Sequence, residues 1–164
     1  MSKPPRDRTY LASRAYFVTA KTWGSRSLFQ SERLASLFLE TLFHYRDAGK
    51  YELHEFVIMP DHVHLLFTPA AGVTLERAMQ LIKGGSSHRI GQEVSANLEV
   101  WERGYVDHRI RDDEDFNRHR EYIWQNPVEA GLCAAPEEFS YSSASASVRQ
   151  RLTSAAKAPP GDAA

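Results

Sequence analysis

Residues 56–67 read Phe-Val-Ile-Met-Pro-Asp-His-Val-His-Leu-Leu-Phe and place two histidines one residue apart inside a strongly apolar run. Because successive side chains of a β-strand point to opposite faces, His62 and His64 share one face, and Val63, Leu65 and Phe67 point to the other. Neutral imidazoles are common metal ligands, so this pair could hold one cation. Taken alone, the pair fits equally well a second interpretation, in which both histidines are hydrogen-bonded residues of the core.

The rest of the chain alternates between strand and helix patterns around this run. Pro60-Asp61 is typical of a tight turn, and apolar periodicity predicts the other elements. In chain order we expect a strand at Ala15–Trp23, a helix from Ser31 to Gly49, strands at Tyr51–Met59 and His62–Thr68, a helix from Thr74, a strand at Val100–Ile110 and a helix from Asp112 to Gln125. This order predicts an α+β fold, a ferredoxin-like split βαβ sandwich. Its antiparallel four-stranded sheet would carry helices on one face, plus a C-terminal helix.

The length of 164 residues suits one domain with a core of its own. We expect residues 1–13 to be a basic arm and residues 14–141 to be the folded domain. Residues 142–164 are rich in serine and alanine and end in a Pro-Pro-Gly run, so we expect a disordered tail.

Charge is balanced overall but uneven along the chain. There are 20 Lys and Arg against 21 Asp and Glu, a formal net charge of -1. Residues 1–30 nevertheless hold six basic side chains against Asp7 alone, which favours contact of this part with phosphates. The basic residues are Lys3, Arg6, Arg8, Arg14, Lys21 and Arg26. Lys83 and Arg89, in the second predicted helix, are further candidates for phosphate contact.

The single cysteine, Cys133, excludes an internal disulfide and offers no thiolate cluster for zinc. The N-terminus has no apolar signal region, and no stretch approaches the ~18 apolar residues of a membrane span. We therefore expect a cytoplasmic protein without a membrane partner.

A second chemical feature lies at the end of the third predicted helix. Tyr122 and Asn126 are four residues apart, so on a continuous helix they would share one face and could both approach the histidine face of the sheet. Asn126 has two interpretations. It is either a metal ligand or the cap of a short following helix that begins at Pro127, since proline disfavours helical geometry in the residue before it.

Together, two separated motifs resemble the IS200-like transposases, most closely the REP-associated tyrosine transposases. Residues 57–66 read Val-Ile-Met-Pro-Asp-His-Val-His-Leu-Leu, and residues 122–132 read Tyr-Ile-Trp-Gln-Asn-Pro-Val-Glu-Ala-Gly-Leu. The resemblance covers roughly residues 10–140 and takes in Thr19, residues 26–29 and residues 104–112.

The resemblance implies a metal-dependent endonuclease and transposase of single-stranded, hairpin-associated (REP-like) DNA. His62 and His64 would bind Mg²⁺ or Mn²⁺, and Tyr122 on a catalytic C-terminal helix would form a 5′-phosphotyrosine. Asn126 occupies the place where the insertion-sequence branch has a glutamine that helps to bind the metal. The protein would act as a monomer or a homodimer. The candidate DNA-contacting residues are Arg14, Thr19, Lys21, Arg26, Lys83 and Arg89.

Rival functions are possible for these residue types. Histidine-triad hydrolases need a third alternating histidine where this chain has Leu66, and two-histidine phosphodiesterases need two His-x-Thr or His-x-Ser motifs, which are absent. A stronger alternative is a non-catalytic module that binds single-stranded DNA or RNA. In it Tyr16, Phe17 and Trp23 would stack on bases, and Tyr122 would only pack.

Overall fold

The computed structural model describes residues 14–154, so the predicted arm at residues 1–13 and residues 155–164 lie outside the described part. The strands are β1 (Tyr16–Lys21), β2 (Tyr51–Met59), β3 (His62–Pro69) and β4 (Val106–Arg109). The α-helices are α1 (Glu32–Asp47), α2 (Leu75–Val94), α3 (Asp113–Glu129) and α4 (Ala146–Thr153). No helix within residues 14–154 is long and apolar enough to cross a bilayer.

The four strands form one antiparallel sheet in the order β2-β3-β1-β4. This order and the βαββαβ succession confirm the predicted ferredoxin-like split βαβ fold. The fourth strand is shorter than the predicted Val100–Ile110. Gly104 adopts a positive φ of 72°, which interrupts the strand, and Trp101 forms only an isolated bridge with Thr22.

Each face of the sheet has its own apolar core. Val63, Leu65 and Phe67 face α1 and α2 in the larger core, as the alternation of β3 predicts. On the opposite face Leu66 packs with Ile123 of α3 in a smaller core. The helix that carries Tyr122 therefore lies on the histidine face of β3, which positions the candidate site.

Local signals set the helix beginnings as predicted. The Ser31 side chain accepts a hydrogen bond from the backbone of Leu34 at the start of α1, and Thr74 does the same for α2. Asp112 caps α3 by accepting from the backbone N–H of Asp115. Each cap satisfies one of the backbone donors that a helix N-terminus leaves unpaired.

α3 differs from the prediction at its C-terminal end. It continues through Pro127 to Glu129 instead of ending at Gln125. Pro127 is buried, so packing of the helix end offsets the loss of one backbone hydrogen bond. Asn126 thus lies inside a helix, and the interpretation of Asn126 as the cap of a following helix is wrong.

The prediction of a disordered tail from residue 142 is wrong for residues 142–154. Ser142 forms a bridge with Val57, and the Ser143 hydroxyl accepts a hydrogen bond from the backbone of Phe56, 2.9 Å away. α4 follows and buries Val148 against the larger core. Short polar side chains here pair with the backbone of β2, which composition alone does not show.

Candidate metal and nucleophile site

His62 and His64 lie on the same face of β3, as their spacing predicts. Across the sheet they stand opposite Lys21 and Thr19 of β1, respectively. The centroids of the two imidazole rings are 4.7 Å apart. One strand pair therefore brings two imidazoles, a hydroxyl and an ammonium group to one end of the sheet.

Both histidines use the same ring nitrogen to fix their orientation. Nδ1 of His62 lies 2.7 Å from the carboxylate of Asp61, and Nδ1 of His64 lies 2.9 Å from the hydroxyl of Thr19. Nε2 of His64 is buried and has no hydrogen-bond partner within residues 14–154. A hydrogen-bonded core histidine would not leave this nitrogen unpaired, since buried polar atoms are normally satisfied.

The donor set fits a divalent cation. In metal sites the ligating imidazole usually hydrogen-bonds through its other nitrogen to a carboxylate or another polar group, which is the arrangement here. Burial, with a smaller contribution from His62, lowers the pKa of His64 to about 3. His64 is therefore neutral near pH 7, the form that binds metal.

Tyr122 of α3 reaches the histidine face of the sheet. Its ring centroid lies 5.2 Å from that of His64 and 5.9 Å from that of Phe17, in edge-to-face geometry in both cases. The side chain is 48% exposed, although it stands between two rings. The wall of an open cavity includes Thr19, His64 and Tyr122, so the tyrosine and the histidine border the same space.

Asn126 does not line this cavity, although its helical neighbours do. Within residues 14–154 the cavity wall includes Gln125 and Glu129 but not Asn126. Asn126 is half-buried, and Gln125 donates a hydrogen bond to Glu121 at 3.1 Å. The assignment of Asn126 as the third ligand stays a prediction.

The predicted DNA-contacting residues are scattered over the fold. Besides Thr19, which contacts His64, three of them form hydrogen bonds within the fold. Arg26 donates to the carbonyls of Trp23 and Glu99, Lys83 donates to those of Glu102 and Gly104, and Arg89 donates to the Thr41 hydroxyl. Arg14 and Lys21 are exposed, and Lys21 shares the histidine end of the sheet with Thr19.

Two of the three aromatic side chains proposed to stack on bases are covered by other residues. The Phe17 ring is covered by His64, His119 and Tyr122, and Tyr16 packs against the larger core. Trp23 is 44% exposed. Of the three proposed stacking rings only Trp23 is exposed, and one ring does not form the row of aromatic side chains on which successive bases stack.

Sequence reasoning missed a second cluster beside Tyr122. His108 of β4 and His119 of α3 stack with ring centroids 4.8 Å apart, and the Asp115 carboxylate lies within reach of both. His119 also lines the Tyr122 cavity. The helical spacing from Asp115 to His119, and from His119 to Tyr122, is the signal that could have revealed it.

Asp115 is the centre of this cluster and is almost fully buried. Burial alone would raise the pKa of Asp115. Hydrogen bonds from the His108 ring, the Arg111 backbone and the Arg118 side chain outweigh it and hold the pKa well below its usual range. The carboxylate is therefore ionised and ties α3 to the edge strand β4.

Residues 15–126 match the protein family described as Transposase IS200 like. Because the match spans more than half of the chain, the chain belongs to the IS200-like transposase family. The resemblance inferred from the two sequence motifs is thereby confirmed.

Two curated relatives are similar to the chain. It is 29% identical over 118 residues to a Haemophilus influenzae protein assigned to the REP-associated tyrosine transposases, with 66% of this chain and 65% of the relative covered. It is 24% identical over 136 residues to the REP-associated tyrosine transposase of Escherichia coli K12, with 82% of this chain and 79% of that relative covered. The chain thus spans about two thirds of the first relative.

A solved structure supports the fold. With a TM-score of 0.70 and 21% identity, the chain is similar to a REP-associated tyrosine transposase bound to a REP hairpin, and the match covers 99% of this chain and 96% of that one. At this identity the likeness shows the ferredoxin-like fold with its added helices.

Proposed function

We propose that this protein is a metal-dependent endonuclease and transposase that cleaves and rejoins single-stranded DNA next to a hairpin. The observation that carries the proposal is the approach of Tyr122 to His64 within one chain, with ring centroids 5.2 Å apart. The unpaired Nε2 of His64 points to a ligand, and Tyr122, which is half-exposed and lines the same cavity, is a candidate nucleophile.

His62 and His64 would hold the metal ion, with Asn126 as the proposed third ligand. Mg²⁺ or Mn²⁺ suits a site that also takes phosphate oxygens, and the bound ion would polarise the scissile phosphate and offset developing negative charge. Asp61 and Thr19 orient the two rings through their Nδ1 atoms. Their contribution would be to hold each ring by its Nδ1 atom, which leaves Nε2 of each ring as the candidate ligand atom.

Tyr122 performs the covalent step in this proposal. Its hydroxyl oxygen attacks the scissile phosphorus, the Tyr–O–P bond forms, the bond to the 3′ oxygen breaks, and the tyrosine proton is lost as the 3′ oxygen gains one. The product is a 5′-phosphotyrosine and a free 3′-hydroxyl. Attack of a 3′-hydroxyl on this linkage rejoins DNA without ATP, because the phosphodiester energy is conserved in the tyrosine ester.

The DNA partner is inferred from the relatives and from charge. A similar solved protein is bound to a REP hairpin, and we propose hairpin-bearing single-stranded DNA for this chain. Lys21 is exposed and pairs with His62 across the sheet, which supports a contact with a phosphate near the metal, and the basic arm would add further contacts. Since one chain supplies both His64 and Tyr122, the proposal requires only one chain for each site.

The proposal is tested with a single-stranded hairpin oligonucleotide, Mn²⁺ and the full chain. A strand labelled at its 3′ end should become covalently attached to the protein, and the same strand labelled at its 5′ end should be released. Chelation of the metal should abolish the adduct. Attachment of the 5′-labelled fragment would contradict the proposed polarity, because it would place the phosphate on the other product.

A further inference from the structure

His119 lies about one turn before Tyr122 on α3. It is outside the two sequence motifs that carry the family resemblance, and no role has been assigned to it above. Side chains three residues apart on a helix are neighbours on one face. Both rings contact Phe17, with centroid distances of 4.7 Å for His119 and 5.9 Å for Tyr122, and both residues line the same cavity. An imidazole therefore shares the cavity with the candidate nucleophile.

The contacts of His119 define its protonation pattern. Nδ1 lies 2.8 Å from the backbone carbonyl oxygen of Asp115 and 3.3 Å from the Asp115 carboxylate. Both oxygens only accept hydrogen bonds here, so Nδ1 carries the proton. Nε2 of the neutral ring then carries the lone pair, which is the state of a base whose other nitrogen is oriented by a carboxylate.

Asp115 is fixed firmly enough to orient His119. Its carboxylate also accepts from the His108 ring at 2.8 Å, from the Arg111 backbone at 3.0 Å and from the Arg118 guanidinium at 3.2 Å. These donors come from β4, from the segment before α3 and from α3 itself. They favour the ionised carboxylate and hold it next to Nδ1 of His119.

A metal ion at the same cluster is a weaker interpretation. The ligand atoms of His108, Asp115 and His119 lie within 4.8 Å of one another. The Asp115 oxygens, however, already accept a guanidinium and a backbone N–H, and the Arg118 cation would repel a divalent ion. A carboxylate saturated with donors is suited to orient an imidazole.

We propose that His119 is the general base for Tyr122, an inference that rests on the proposed strand-cleavage function. During cleavage Nε2 of His119 accepts the hydroxyl proton as the tyrosine oxygen bonds to phosphorus, and the departing 3′ oxygen takes a proton from solvent. During rejoining the attacking 3′-hydroxyl loses its proton to solvent, and the protonated His119 returns its own proton to the departing tyrosine oxygen. Asp115 is a positioning residue, and its negative charge stabilises the imidazolium that forms.

The proposal predicts how cleavage depends on pH. A general base must be unprotonated to act, so the rate of adduct formation should rise from acidic pH and then level. The charged and titratable groups around His119 are Asp115, Arg118 and Tyr122 on α3 and His108 on β4, whereas Phe17 on β1 contributes no charge. The same cavity is also lined by the titratable groups His64 of β3 and Glu121 and Glu129 of α3. Only the removal of His119 should eliminate this rise.

The test measures single-turnover adduct formation against pH at saturating Mn²⁺, with the full chain and a hairpin oligonucleotide. His119→Asn keeps an N–H donor at the Nδ1 position for the Asp115 carbonyl and removes the base. We expect it to bind the hairpin normally, to form adduct about 10²- to 10⁴-fold more slowly and to lose the rise with pH. His108→Gln, the matched control, keeps a donor to Asp115 outside the cavity and should retain the rise.

Two further measurements exclude other roles. His119→Ala with added imidazole should regain part of the adduct rate, which a purely structural role would not allow. A substrate with sulfur in place of the scissile 3′ oxygen needs no proton on its leaving group, and the His119 variants should remain slow on it. Full rescue by sulfur, or an unchanged pH profile in His119→Asn, would overturn the proposal, while failure of the wild-type chain to form adduct would overturn the proposed function itself.

Discussion

The hydroxyl of Thr19 lies 2.9 Å from Nδ1 of His64, directly across the pairing of β1 and β3. This bond links the strand pairing to the candidate metal site, because it fixes the ring whose Nε2 is buried and unpaired within residues 14–154. Thr19 therefore acts, in this interpretation, through the orientation of His64, and its predicted contact with DNA is not needed to explain its position.

Thr19→Val should weaken metal binding. The substitution keeps the branched shape and removes the hydroxyl, so the His64 ring loses its orienting partner. Loss of such a partner typically costs about 10- to 100-fold in metal affinity, and we expect the Mn²⁺ concentration for half-maximal cleavage to rise by that order. Thr19→Ser keeps the hydroxyl and should resemble the wild type. Equal metal dependence of the Val and Ser variants would speak against this role.

Substitutions of Asn126 should change the Mn²⁺ concentration needed for cleavage and leave the free energy of unfolding nearly unchanged. Asn126→Ala should raise the Mn²⁺ concentration needed for cleavage, whereas Asn126→Asp should keep or strengthen ion binding by adding charge. Both follow if the amide oxygen is a ligand. Metal titrations of adduct formation measure this, with Gln125→Ala as the neighbouring control. If Gln125→Ala shifts the metal dependence and Asn126→Ala does not, the third ligand has been assigned to the wrong residue.

The fold and the histidine face were predictable because their signals are local. Alternation along residues 62–67 places the two imidazoles on the face opposite Val63, Leu65 and Phe67, and Ser31 and Thr74 mark helix starts by their own hydrogen bonds. The tyrosine was found through a four-residue spacing and a family motif. These signals require only the residues in one element and the regular geometry of that element.

The missed features depend on distant partners. Ser143 hydrogen-bonds a backbone group 87 residues away, and Pro127 remains helical because packing buries it. The orientation of His119 by Asp115, and of Asp115 by His108, joins α3 to an edge strand. No local pattern shows that such partners meet, since only the folded topology brings them together.

Arg149→Met should destabilise the protein by leaving a buried carboxylate unpaired. Arg149 of α4 donates two hydrogen bonds to Glu55, which is 3% exposed. Burial raises the pKa of Glu55, and Arg149 opposes that rise. Removal of one partner from a buried pair costs about 3–5 kcal/mol, and partial exposure of Arg149 reduces our expectation to about 1–3 kcal/mol in urea unfolding.

Arg151→Met is the control for Arg149 on the same helix. Arg151 pairs with Glu40, whose side chain is 56% exposed. Removal of this ion pair should lower the free energy of unfolding by less than about 1 kcal/mol. The double variant Glu55→Gln/Arg149→Met should recover part of the stability, because it removes the buried charge. Equal losses for the two arginine variants would contradict this account of α4 docking.

Two adjacent glycines in α2 should respond oppositely to alanine. A Cβ at Gly84 meets no atom within 4 Å, so Gly84→Ala should stabilise by about 0.5–1 kcal/mol through higher helix propensity. A Cβ at Gly85 would lie 2.7 Å from the hydroxyl of Tyr45 and 2.9 Å from its ring, so Gly85→Ala should cost about 1–3 kcal/mol. Urea unfolding compares them, and a stabilising Gly85→Ala would show that the contact between α1 and α2 is looser than described.

The central claim is that Tyr122 becomes covalently attached to DNA, and peptide mapping of the protein–DNA adduct by mass spectrometry tests it most directly. We expect the nucleotide mass on Tyr122 alone in the wild-type chain. Tyr122→Phe, which keeps the ring that packs against His64 and Phe17, should bind the hairpin and form no adduct. An adduct on any other residue, including Tyr105 or Tyr141, or an adduct that persists in Tyr122→Phe, would contradict the account.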